Sequence, residues 1–162
     1  MCTGLYVGKN CSADGTRIIA RSADSPSNFA KATCIKCSEA KQNIEDNVIS
    51  SEANGFSYSM PNYSYKYLSS PHLWAKGAGS FVGFAANEFG MAATATITGY
   101  TNPKILEIDP FIPNGLNEPK IAQIAGSISK TAKEGVRAIA DVIEAVGNGE
   151  ANIVLLTDMN EA

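Results

Sequence analysis

The sequence predicts an α+β fold, with helices layered on a mostly antiparallel sheet, and three observations carry that prediction. Much of the first hundred residues falls into short apolar and β-branched runs separated by turn residues. The three-and-four spacing of a helical face is clearest beyond them, and a last apolar run at residues 153–156 returns to strand character. Strands first, helices later and one closing strand is an α+β order rather than a regular alternation.

Residues 5–8 and 17–21 are the first two runs, joined through Ser12-Ala13-Asp14-Gly15, so an N-terminal hairpin is expected. A third strand is expected at residues 32–37, then a polar connector over residues 39–54, where no period emerges. Phe56, Tyr58 and Met60, then Tyr63, Tyr65 and Tyr67, recur at a spacing of two, which predicts two half-buried strands broken at Pro61. Residues 80–86 and 91–98 are small, apolar or β-branched and flank Asn87-Glu88-Phe89-Gly90, a second hairpin of tightly packed central strands. Three prolines within residues 102–117 predict an irregular connector with a helical turn before Pro110. Val136, Ile139, Ala140, Ile143 and Val146 mark one face of a helix that Thr131 and Glu134 cap and Gly147 and Gly149 stop. A preceding helix is expected at residues 119–128, joined to it through Gly126 and Ser127, and the strand at 153–156 runs into Asp158. No repeat, low-complexity run or linker divides residues 1–162, which read as one domain. The end at Asn160-Glu161-Ala162, directly after a buried strand, predicts a piece of a longer protein.

With 44% hydrophobic and 18% charged residues in 162, the chain has material for a real core. The formal net charge is −3 and the basic residues are scattered, which argues against a nucleic-acid surface or a polybasic membrane anchor and for a small-molecule or peptide partner. No apolar run nears the roughly 20 residues of a membrane span, and the N-terminus lacks a signal-peptide plan. Cys2, Cys11, Cys34 and Cys37 are too few and too uneven to demand a disulfide framework, so a reducing, cytoplasmic compartment is expected. Cys34 and Cys37 form a C-x-x-C, but no second one follows and His72 is the only histidine. Two strand cysteines are therefore expected rather than a zinc or redox site, and no metal or cofactor is implied.

Cys2 carries the chemistry. Its side chain is small enough to permit removal of Met1, which would leave a free α-amine on the nucleophile's own backbone. An α-amine titrates near 7.7–8.0 and a thiol near 8.5, so neither is activated alone at neutral pH. A fixed cation beside such a pair would favour thiolate and free amine, giving nucleophile and general base in one residue. Arg21 and Asp24 stand at the end of the second strand, next to the start of the first if the hairpin pairs antiparallel. Asn87 suits its turn for local reasons, and its amide also suits an oxyanion hole. Asp158 and Asn160 read as a turn or the start of a site, His72 as a loop residue, and Trp74 as packing or cleft lining.

Met1-Cys2-Thr3, Ala13-Asp14-Gly15-Thr16 and Ile19-Ala20-Arg21-Ser22-Ala23-Asp24-Ser25 resemble the cysteine dipeptidases of the N-terminal-nucleophile hydrolase superfamily. Asn87-Glu88-Phe89-Gly90-Met91-Ala92, Asp109-Pro110-Phe111, Asn114-Gly115-Leu116-Asn117-Glu118, the segment from Thr131 to Val136 and Asp158-Met159-Asn160-Glu161-Ala162 follow in that family's order. The resemblance implies an αββα four-layer sandwich, Cys2 as nucleophile with its own amine as base, and Arg21 and Asp24 polarising that pair. It further implies Asn87 as oxyanion donor and metal-free hydrolysis of dipeptides or short peptides. Bile-salt and penicillin acylases share the terminal cysteine and the Arg-x-x-Asp pattern, which keeps an N-acyl amide substrate open. A non-catalytic peptide-binding or assembly fragment and a homo-oligomer also stay open.

Overall fold

The computed structural model describes residues 2–24, 34–72 and 81–162. Its main sheet has five antiparallel strands in the order β3 (Lys36–Ser38), β6 (Tyr67–His72), β7 (Phe81–Asn87), β8 (Ala92–Thr96) and β9 (Ile153–Thr157). Two hairpins accompany it, β1 (Gly4–Val7) with β2 (Ile18–Arg21) and β4 (Val48–Ser51) with β5 (Phe56–Ser59). Helices α1 (Pro103–Leu106), α2 (Glu118–Ile128) and α3 (Ala132–Val146) all fall between β8 and β9. The architecture is mixed α+β with antiparallel sheets, as expected.

Side-chain alternation assigns the two faces of the sheet. Ala85 pairs with Ala93, and a Cβ on Gly126 of α2 would stand 2.6 Å from the Ala85 Cβ, so these small residues let the helix lie almost on the backbone of β7 and β8. Thr94 and its partner Leu155 point the other way, where a Cβ on Gly4 would meet Leu155 Cδ1 at 3.0 Å. The helices cover one face and the β1–β2 hairpin packs over β8 and β9 on the other. The core lies on the helical side, where Phe56, Met91, Leu116 and Ile124 are fully buried. Each such side chain contributes roughly 1.5–3 kcal/mol by leaving water.

Five expectations need correction, the first being that His72 is not a loop residue but the last residue of β6, paired with Phe81 of β7. The polar connector contains β4, whose Ile49 and Ser51 face inward against Phe56 of β5. The tyrosine-rich strand starts only at Tyr67, because Tyr63 and Tyr65 form an aromatic cluster with Phe89 instead (centroids 5.3 and 4.8 Å apart). Gly126 and Ser127 do not separate the two helices; α2 continues through them to a cap at Ser129. On α3 the buried line is Ala132, Gly135, Ile139 and Val142, while Val136 and Ile143 face outward, because the helix rests on its glycine side against α2 and the sheet. The caps are as expected: Thr131 Oγ1 accepts from Glu134 N–H, and Gly147 ends the helix at φ 79°. Of the expected third strand, residues 36 and 37 lie in β3 and residues 32 and 33 fall outside the described residues, as does Trp74.

Candidate active site

The register of the first hairpin places Cys2. Gly4 pairs with Arg21, and beyond that pair Ser22 N–H donates to the Thr3 carbonyl at 2.9 Å while Thr3 N–H donates to Ser22 Oγ at 3.1 Å. Cys2 therefore continues past the end of β1, beside Arg21 on the neighbouring strand. Arg21 Nη2 donates to Cys2 Sγ at 3.2 Å, which fixes the half-buried sulfur and sets a positive charge where negative charge would develop.

Arg21 is itself held from several sides. Its Nη1 donates to the Ala95 carbonyl at 2.6 Å and, at longer range, to that of Gly83 at 3.4 Å. The same nitrogen lies 3.0 Å from Glu118 Oε1, with both side chains under one-tenth exposed. The guanidinium also sits 5.9 Å from the Phe81 ring centroid. Burial pushes the Glu118 carboxyl above the usual glutamate range, Arg21 pulls it back down, and the charge of Glu150 pushes it up again. Glu150 also caps α2, accepting from Glu118 N–H at 2.7 Å. Among the described residues Arg21 Nε has no hydrogen-bond partner.

Of the four residues singled out from the sequence, Cys2 and Arg21 are in contact, and Asp24 lies at the same end of the hairpin, its Oδ2 3.5 Å from Thr3 Oγ1. Asn87 is not brought to them. It closes the β7–β8 turn, four residues along β7 from the Gly83 that Arg21 reaches, roughly 13 Å at strand rise. Its amide nitrogen already donates to the carbonyls of Gly126 and Ser129 at 3.1 and 2.6 Å. Its Oδ1 accepts from the N–H groups of Phe89 and Met91, so in this arrangement its donors are spent on holding α2 to the turn rather than offered to an oxyanion.

Glu118 is the residue that sequence reasoning missed: a glutamate in a first helical turn reads as an exposed partner of the helix dipole. Asp158 is a structural residue, accepting from the N–H groups of Ala132, Asn160 and Glu161 at 2.8, 2.6 and 2.9 Å. Burial alone would raise its pKa, but those bonds outweigh it and hold the carboxyl below the usual range. Asn160 joins the same turn, its carbonyl held with that of Met159 by Arg17. All four cysteines are free, and Cys37 Sγ donates to Glu39 Oε1 at 3.6 Å. Among the described residues no group of three or more His, Cys, Asp or Glu side chains is placed to hold a metal, and no helix is long and apolar enough to cross a membrane.

The model of peptidase family C69 matches residues 1–162. A probable dipeptidase B of Streptococcus pyogenes serotype M3 is 36% identical over 158 residues, covering 97% of this chain and 31% of the relative. A probable dipeptidase of Salmonella dublin is 32% identical over 162 residues, and one of Latilactobacillus sakei 31% over 166; each alignment covers 99% of this chain, and 36% and 33% of the relative. The chain thus spans about a third of the length of these relatives. A family match that runs from the first residue to the last, with the Cys2–Arg21 contact inside it, gives the conclusion that the chain belongs to peptidase family C69.

Proposed function

We propose that the chain is the N-terminal part of a cysteine dipeptidase whose nucleophile is Cys2, unmasked when Met1 is removed. The observation that carries this reading is the 3.2 Å contact between Cys2 Sγ and a guanidinium that Glu118 and two backbone carbonyls hold in place. The Cys2 sulfur attacks the scissile carbonyl carbon while its thiol proton passes to the Cys2 α-amine. Collapse of the tetrahedral species breaks the C–N bond, the proton leaves with the amine product, and a thioester stays on Cys2. Water, deprotonated by the same amine, then hydrolyses the thioester and restores the thiol. Arg21 steadies the sulfur and its developing charge, and Asp24 orients the terminal amine. The names of the relatives support dipeptides or short peptides as substrates.

The fold reading that goes with this is the αββα sandwich. What supports it is that α2 and α3 pack on one face of the five-stranded sheet and the two-stranded β1–β2 sheet on the other, where a second sheet would begin. A rapid acid quench of the parent-length polypeptide turning over a dipeptide, followed by intact-mass and peptide mapping, tests the mechanism. The expected result is an adduct of one aminoacyl residue on Cys2. Steady turnover with a thioester or ester on another residue would refute the assignment.

A further inference from the structure

Away from Cys2, the fold buries most of a lysine side chain whose ammonium has no hydrogen bond or salt bridge among the described residues. Lys120 lies in the first turn of α2 and is only 5% exposed. Buried lysines are ordinarily paired, because removing an ammonium from water is costly. Yet among the described residues no hydrogen bond or salt bridge reaches its Nζ. Burial lowers its pKa to about 8, and the charge of Glu52 pulls the other way. A lysine at that value is still mostly protonated at pH 7.

Lys120 lines a cavity of about 510 Å³ between α2, β4 and the β3–β6 edge of the sheet, a volume that suits a small organic molecule. Ser50, Ser69, Tyr67 and Gln123 also line it, with Ser69 Oγ donating to the Lys36 carbonyl at 3.5 Å. Gln123 Nε2 donates to the Tyr67 hydroxyl oxygen at 3.3 Å, leaving the phenolic hydrogen to be given elsewhere. Lys36 and Glu52, one charge of each sign, also line the cavity from exposed positions where solvent screens them. Beside that screened pair stands the positive charge of the mostly buried Lys120 side chain, among neutral polar groups. That set matches a single planar monoanion better than a phosphate dianion, whose second charge would go unmatched and would face Glu52.

We infer that this cavity is a binding site for small organic carboxylates, with the carboxylate seated on Lys120 Nζ and the Tyr67 hydroxyl. None of its lining residues belongs to the Cys2–Arg21–Glu118 cluster, so the site stands independently of the proposed peptidase mechanism.

Calorimetric titration of this chain with sodium acetate, L-alanine and inorganic phosphate, at constant ionic strength, tests it. Acetate and L-alanine should each bind at one site. Lys120→Met should weaken both at least tenfold, and Tyr67→Phe should weaken both by a smaller factor. Lys120→Met should not lower Tm, since it replaces an unpaired buried cation by an apolar side chain of similar length; if it does, Tyr67→Phe carries the test. Cys2→Ala should leave binding unchanged, which separates this site from substrate capture at the nucleophile. L-alanine binding tighter than acetate would make free amino acids the source of the carboxylate, and equal affinity would make the carboxylate itself the whole of the recognition. Tighter binding of phosphate, no binding of either carboxylate, or unchanged affinity in Lys120→Met and Tyr67→Phe would overturn the inference.

Discussion

Replacing Arg21 by alanine is expected to remove turnover and to weaken the fold at once. The guanidinium joins Cys2 Sγ, the Ala95 carbonyl and Glu118 Oε1, so its loss frees the sulfur and strips a buried carboxylate of its partner. Breaking a buried pair by removing one member costs about 3–5 kcal/mol, and losing the charge at the nucleophile should lower kcat/KM of the parent-length enzyme by about 10²–10³-fold. The stability loss should depend on pH in a definite direction. With Arg21 gone, burial acts on Glu118 without its main opposing charge and raises its carboxyl further. A carboxyl with a raised folded-state pKa adds stability below its unfolded value and loses it as pH rises through the folded value. The Arg21→Ala protein should therefore lie closer to the unchanged protein in denaturant midpoint at pH 5 than at pH 8. An equal loss at both values would show that Glu118 does not carry the penalty.

Cys2→Ser is the second large effect, and it acts on rate alone. A hydroxyl is far harder to ionise than a thiol, so the acylation step should slow by at least about 10³-fold, equivalent to about 4 kcal/mol of activation free energy. The side chain is half-buried at the end of a hairpin and differs by one atom, so Tm should hardly change. Steady-state kinetics on a dipeptide together with a melting curve check both halves. Retained turnover in Cys2→Ser would leave the cysteine without a catalytic role.

The Cys2–Arg21 contact was legible because an antiparallel hairpin can be counted: with Gly4 opposite Arg21, residue 2 has to emerge beside the end of β2. The β7–β8 hairpin was legible for the same reason, since turn chemistry separates two runs of small residues. β4 was not, because Val48-Ile49-Ser50-Ser51 puts a serine at an inward position and is buried only through its pairing with Phe56 and neighbouring residues. The role of Asn87 was half legible. Its turn follows from local chemistry, but the carbonyls its amide holds lie 39 and 42 residues further along the chain. Glu118 and Lys120 look like ordinary residues of a helical first turn, and only packing against the sheet and the β4–β5 hairpin makes them buried charges.

Competitive alkylation separates the account from its rivals most directly, because solvent exposure and the proposed activation predict opposite orders. Cys11 and Cys37 are exposed, while Cys2 is half-buried. Brief treatment of the chain with limiting iodoacetamide at pH 7, read by intact mass and peptide mapping, should show Met1 absent and Cys2 labelled first, ahead of both exposed thiols. Labelling that follows exposure, with Cys11 and Cys37 modified before Cys2, or a retained Met1, would contradict the claim that Cys2 is the terminal nucleophile.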